Sequence, residues 1–267
     1  MDDTIAFIGG GNMAMSLISG LVSEGGYNVR VSDPMPEQLE RYEAMPIETL
    51  NDNNAAVAGA GTVVLAVKPQ VASSVLQSLQ VTQDQLIVSI AAGIGLASMN
   101  AWTDPAQPIV RCMPNTPALL NAGITALYAN EHCTAQQRNT AETILTSAGK
   151  TLWVDSEGAI DAVTAVSGSG PAYFFALMEA MADAGVTLGL SRETATELAI
   201  ETAYGAALMA QKTADSPATL RQNVTSPGGT TQAALEVFAA DGFAPLVERA
   251  LTAAAQRSKE LAEEFGD

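Results

Sequence analysis

The sequence predicts an α/β fold, an N-terminal Rossmann-type parallel sheet domain followed by an all-helical domain. Three observations carry this. Short apolar runs alternate with helical patterns over residues 1–155. A G-x-G-x-x-A spacing, made by Gly9, Gly11 and Ala14, falls where the first run gives way to a helix. From about Asp155 the alternation stops, and residues 156–267 are alanine-rich with helical spacing and no strand pattern.

The elements follow in order. Residues 5–8 form a strand; Gly9 then allows the tight turn, Gly11 lets the backbone approach a pyrophosphate, and Ala14 lets the helix sit close on its strand. Amides at the start of that helix present the positive end of its dipole to an anion. A second strand over 28–31 leads to Asp33, at the distance expected of a carboxylate that accepts from a ribose hydroxyl. Glycines also serve ordinary turns, but strand, helix, second strand and acid in sequence make dinucleotide binding the reading. Pro34 and Pro36 then break the backbone, and Pro36 starts a short helix through 42. A polar turn at 51–54 precedes the apolar strand 62–67, of a kind buried on both faces of a parallel sheet. It ends in Lys68, at the carboxyl edge where open α/β sheets bind ligands; position alone fits a cofactor contact or a solvated lysine equally. Residues 69–79 read as a helix and 86–90 as a strand ending in Ala91, Ala92 and Gly93, whose small size would let a nicotinamide or ribose approach. A strand at 109–113 runs into Pro114-Asn115-Thr116-Pro117, a rigid loop or simply a turn. A strand at 124–128, a helix from the Thr134/Gln137 capping box through 148, and a strand at 151–154 complete the sheet.

In the second half, Pro171 starts a helix to 184, Ser191 caps one to about 212, and Ser216-Pro217 start one to 223; helices at 230–240 and 243–265 finish the chain. Residues 195–209 are apolar on more than one face, which predicts a homodimer built on this half. Two polar, glycine-rich stretches, 167–171 and 225–231, read as loops leading into helices. In the second, the amides of Gly228, Gly229, Thr230 and Thr231, with the hydroxyls of Ser226, Thr230 and Thr231, would form a carboxylate-sized anion site without a cation.

Composition narrows the class. Twelve basic against 29 acidic side chains give a net charge of -17 over 267 residues, which argues against a nucleic-acid partner. No uncharged stretch reads as a membrane span or a signal peptide, so a cytoplasmic protein is expected. Two cysteines, Cys112 and Cys133, and one histidine, His132, do not make a metal site, and none is expected. A dehydrogenase using a histidine base would have only His132.

The stretches FIGGGNMA at 7–14, AVKPQ at 66–70, SIAAG at 89–93, RCMPNTPALLNAG at 111–123, SGSGPAY at 167–173 and LRQNVTSPGGTT at 220–231 together resemble pyrroline-5-carboxylate reductase. The resemblance runs in register from about Ile5 to Phe243. It implies reduction of L-1-pyrroline-5-carboxylate to L-proline by NADPH or NADH, the last step of proline biosynthesis. It also implies a helical dimerisation domain whose dimers assemble further, commonly into decamers of five dimers. By motif, Ile8, Gly9, Gly10, Gly11, Asn12, Met13, Asn53, Ala66, Val67, Lys68, Pro69, Ile90, Ala91 and Ala92 resemble cofactor contacts, and Asn223 a contact to cofactor or partner subunit. Ser226, Gly228, Gly229, Thr230 and Thr231 resemble the substrate-carboxylate site, Thr231 being the threonine whose hydroxyl meets the ring nitrogen. Asp33 stands where relatives that favour NADPH tend to carry polar or basic residues, and a carboxylate repels a 2′-phosphate, so this position favours NADH. A β-hydroxyacid dehydrogenase would need a lysine soon after Gly168 and Gly170, and none follows until Lys212. A nucleotide-sensing module would leave 226–231 without a ligand.

Overall fold

The computed structural model describes residues 4–266. They form two compact units, one made of the chain up to Ser169 together with the segment from Ala253 onward, the other of Gly170–Thr252.

The first unit is organised on eight strands, β1 (Thr4–Ile8), β2 (Asn28–Ser32), β3 (Glu48–Leu50), β4 (Thr62–Leu65), β5 (Leu86–Ser89), β6 (Ile109–Met113), β7 (Gly123–Ala129) and β8 (Gly149–Trp153), in the order β3-β2-β1-β4-β5-β6-β7-β8. The first six are parallel, and the strand order reverses between β1 and β4, the switch point at which doubly wound sheets take ligands. The sheet is parallel-dominated, as expected of a Rossmann-type domain, and within it β7 runs antiparallel to β6 and carries β8 with it. The reason is length. Residues 114–122 hold only a 3-10 turn, Thr116–Leu120, whereas a parallel crossover takes about a dozen residues or more. Strand β3, three residues on the sheet edge, has no apolar run to mark it in the sequence.

Helices cover both faces. Ile5 and Phe7 of β1 face a cluster shared with α1 (Asn12–Glu24) and, across the unit, α6 (Ala135–Thr146); Ala6 and Ile8 face another, filled from α3 (Asn53–Val57), α4 (Pro69–Ser78) and α5 (Leu96–Trp102). All five residues of β1 are buried, which is why the parallel strands read as unbroken apolar runs rather than alternating ones. A short α2 (Pro36–Glu40) follows β2. The Thr134/Gln137 capping box forms as expected, and Ser191 and Ser216 accept the amides of Thr194 and Thr219 at the starts of their helices.

The sequence divides the chain at 155–156; packing groups α7 (Ala159–Val163) and the segment from Ala253 with the sheet. Ile160 and Ala165 are buried there, Ser258 Oγ donates to Asp161 Oδ1 at 2.7 Å, and Leu261 packs over Gly93. The stretch 167–171 is not a loop. Thr164–Gly168 is a π-helical turn running on into the next helix, and a Cβ on Gly168 would lie 2.5 Å from Met113 Cε.

The second unit comprises α8 (Gly170–Thr187), α9 (Arg192–Lys212), α10 (Pro217–Asn223), α11 (Thr230–Ala240) and the first half of α12 (Phe243–Gly266). Helices α8 and α9 approach closely because the contact is made by small residues, Ala182, Gly185, Ala195 and Ala199. Little else is buried: Phe174, Phe175, Leu188, Tyr204, Val237 and Leu246 are exposed in the single chain. Among the described residues no helix is long and apolar enough to cross a membrane.

Candidate functional site

The carboxyl ends of β1, β2, β4 and β5 bring the predicted cofactor residues of the first unit together. Ile8 is buried at the end of β1. Gly9 has φ 101°, and an added Cβ would sit 2.6 Å from the carbonyl oxygen of Ala66 at the end of β4, so the chain itself demands glycine. Its N–H donates to Ser32 O at 2.8 Å. Gly11 is different. It has φ −72° and an added Cβ would meet nothing within 4 Å, so nothing in the fold requires glycine there. Asn12 and Met13 begin α1, whose N-terminus has no side-chain cap. The cradle thus fits a pyrophosphate: an open approach, uncapped amides and a helix dipole pointing out.

Gly10 is clasped from the β2 side. Its N–H donates to Asp33 Oδ2 at 2.8 Å, and its carbonyl accepts from the Tyr42 hydroxyl at 3.1 Å. Asp33 Oδ1 accepts from Met35 N–H at 2.9 Å, so both oxygens of the expected ribose acceptor already hold backbone amides while retaining further lone pairs. Arg41 lies alongside, donating from Nη2 to Asn12 Oδ1 at 2.9 Å. Nothing in the sequence marks Arg41 or Tyr42 for this site. Both fall in the helix-like stretch 36–42, and only its folding back onto the glycine turn gives them a role.

Burial pushes the Tyr42 phenol up to about 12 from an ordinary 10.0. An unfolded tyrosine ionises near 10, so the contribution of this residue is intact below that pH and is lost as pH rises towards about 12. Urea melts at rising alkaline pH should show that decline in the wild type and a shallower one in Tyr42→Phe.

Asn53 begins α3 and accepts from Ser32 Oγ at 2.8 Å; Asp52 caps the helix through the amides of Asn54 and Ala55. Ala66 and Val67 are half-buried, Lys68 is exposed at the N-cap of α4, and Pro69 is its first residue. Ile90 is half-buried, Ala91 buried and Ala92 exposed.

In the second unit, Gly228 (φ 71°) and Gly229 turn the chain into α11, which begins at Thr230 and Thr231 without a side-chain cap. Two of the four amides expected to bind a carboxylate have partners inside the turn: Gly229 N–H donates to Ser226 O at 3.0 Å, and Gly228 N–H to Gln232 Oε1 at 2.7 Å. Gln232, absent from the sequence reading, also donates to Glu236 Oε1. Ser226 and Thr230 are exposed and Thr231 is half-buried. Asn223 is the last residue of α10.

The RCMPNTP stretch is built for fastening. Buried Arg111 pairs with Glu157 at 2.8 Å, and the same carboxylate oxygen takes the Leu96 N–H. Asn115 accepts from Ile124 N–H at 2.9 Å and donates to Ser167 O at 3.1 Å. Cys112 and Cys133 are buried, which raises both thiols, the latter to about 11, and keeps them protonated at neutral pH.

Comparison with known proteins places the chain among its relatives. A family model described as pyrroline-5-carboxylate reductase dimerisation matches residues 157–261, and one described as NADP oxidoreductase, coenzyme F420-dependent, matches residues 4–93. The chain is 55% identical to the pyrroline-5-carboxylate reductase of Pseudomonas aeruginosa, over 98% of each chain. Among solved structures, a pyrroline-5-carboxylate reductase from Coxiella burnetii superposes with a TM-score of 0.91 at 43% identity, covering 97% of this chain and 98% of that one. The Plasmodium falciparum pyrroline carboxylate reductase, solved with NADP bound, gives a TM-score of 0.85 at 28% identity, with coverage of 97% and 98%.

Proposed function

This chain belongs to the pyrroline-5-carboxylate reductase family, and on that premise we propose how its residues divide the work of an NAD(P)H-dependent reductase. The reaction is reduction of L-1-pyrroline-5-carboxylate to L-proline, the last step of proline biosynthesis. Residues 1–155 bind the dinucleotide, and 156–267 bind substrate and a second copy of the chain. The observation that carries the first assignment is Gly11, a glycine the fold does not need at the mouth of an uncapped helix.

The pyrophosphate is held by the amides of Gly11, Asn12 and Met13, with Ile8, Gly9 and Gly10 shaping the turn. Asp33 and Asn53 flank the adenosine ribose; Ala66, Val67, Lys68 and Pro69, and Ile90, Ala91 and Ala92, line the two adjoining strand ends. Asn223 contacts the cofactor or the partner subunit. The bound dihydronicotinamide supplies the hydride to C5 of the ring. A cyclic imine is basic enough to be protonated at nitrogen, so the enzyme needs alignment more than a strong general acid. Thr231 Oγ1 orients that nitrogen. The substrate carboxylate takes the amides of Gly228, Thr230 and Thr231 with the Ser226 hydroxyl, replacing Gln232 Oε1 on Gly228 N–H, while Gly229, its N–H on Ser226 O, shapes the turn that lines the site.

Loss of the Thr231 hydroxyl should lower kcat/KM by about 10- to 100-fold in Thr231→Ala, the cost of one orienting hydrogen bond. Wild-type kinetics in that variant would remove Thr231 from the site. The exposed apolar side chains of α8, α9 and α11 support a homodimer, with a decamer of five dimers as the further assembly, in the cytoplasm. The direct test of function is loss of dihydronicotinamide absorbance from NADH and from NADPH with L-1-pyrroline-5-carboxylate; no turnover with either, in protein that binds both, would overturn the reading.

A further inference from the structure

We propose that Arg41 recognises the 2′-phosphate of NADPH and sets the cofactor preference of this enzyme towards the phosphorylated dinucleotide. The inference rests on the reading that the glycine turn at 9–13 holds the dinucleotide. NADPH and NADH differ only at the adenosine 2′ position, and in a Rossmann site that ribose lies at the end of the second strand beside the first glycines, where a nearby arginine accommodates a 2′-phosphate. Arg41 is in that place. Nη1 lies 3.5 Å from the carbonyl oxygen of Gly10 and 2.9 Å from Gln38 Oε1, and Nη2 lies 2.9 Å from Asn12 Oδ1.

Those three partners are neutral oxygens. Arg30, Arg111, Arg192 and Arg257 each face a carboxylate within ion-pair distance, whereas among the described residues no such pair involves Arg41. The guanidinium is therefore held in place by neutral partners, outside any ion pair, in a residue that is exposed. In a chain of net charge -17 a phosphate dianion is repelled at long range, so binding it needs a fixed local cation able to form charge-assisted hydrogen bonds. Asp33, the group that reads from sequence as excluding the 2′-phosphate, has both oxygens engaged by the amides of Gly10 and Met35. It ties the loop down, and Arg41 supplies the positive charge that the adjoining Met35 and Pro36 lack.

The test compares 2′,5′-ADP, which carries the distinguishing phosphate, with 5′-ADP, which lacks it, by titration calorimetry on wild type, R41Q and R41K. Kinetics with NADPH and NADH follow on the same proteins. Wild type should prefer 2′,5′-ADP, and R41Q should reduce that preference by about 30-fold, the worth of a charge-assisted pair. The ratio of kcat/KM for NADPH over NADH should fall in step, and R41K, which keeps the charge without the fork, should recover part of it. A preference unchanged in R41Q, or no preference for 2′,5′-ADP in the wild type, would overturn the assignment. Failure of the cradle reading looks different: wild type would bind neither nucleotide.

Discussion

A Gly11→Val enzyme is expected to melt within about 4 °C of wild type and yet to bind both NADPH and NADH at least about 100-fold more weakly. Gly11 has φ −72° and ψ −175°, extended backbone that any residue adopts, and an added Cβ meets no protein atom within 4 Å. The stability cost is therefore confined to the poorer helix cap, about 1 kcal/mol. What the new side chain does meet is the space a pyrophosphate must enter to reach the amides of α1. Calorimetric melting and quenching of nucleotide fluorescence measure the two effects separately. An unchanged dissociation constant would move the dinucleotide away from this turn; a large drop in Tm would mean that the glycine serves the fold after all.

The opposite behaviour is expected nine residues further on. In Gly20→Val the new Cβ would fall on the carbonyl oxygen of Ser147 and 2.8 Å from its Cβ, where α1 crosses the end of α6. That crossing is pinned by Ser147 Oγ, whose single proton is shared between Ile144 O at 2.7 Å and Leu17 O at 3.2 Å, so the backbone has no free direction to retreat. Overpacking against a fixed carbonyl should cost about 3 kcal/mol and lower Tm by about 6–12 °C in a domain of this size. A melting temperature like that of wild type would show that α1 and α6 do not meet as described.

These two glycines illustrate what was legible from sequence and what was not. The register of the first unit could be read because its strands are buried on both faces and its helices carry side-chain signals, such as Thr134 with Gln137 and Pro69 at the first turn. The spacing of Gly9, Gly11 and Ala14 marked the turn between β1 and α1, where Gly9 is required by the closeness of Ala66 and Ala14 is buried. Gly20 carries no such mark, because its requirement comes from a serine more than a hundred residues away. The same limit hid Arg41 and Tyr42. Their contacts with the 9–13 turn arise from |i−j| separations of 29 to 32, set by how the segment after β2 folds back. The reversal of β7 depended on a linker too short for a crossover, and Gln232 on the tightness of the turn at 226–229. Fold class was written in periodicity; the partners of individual amides were written in tertiary structure.

The long terminal helix α12 has a consequence for biosynthesis. Its residues from Ala253 complete the sheet unit, with Phe265 packed into the second core cluster and Leu261 closing over Gly93. The helical unit 170–252 is thus, in topological terms, an insertion within the sheet unit. A nascent chain can form β1 to β8 before the segment from Ala253 exists, so the sheet unit lacks that piece until the whole helical unit has been made.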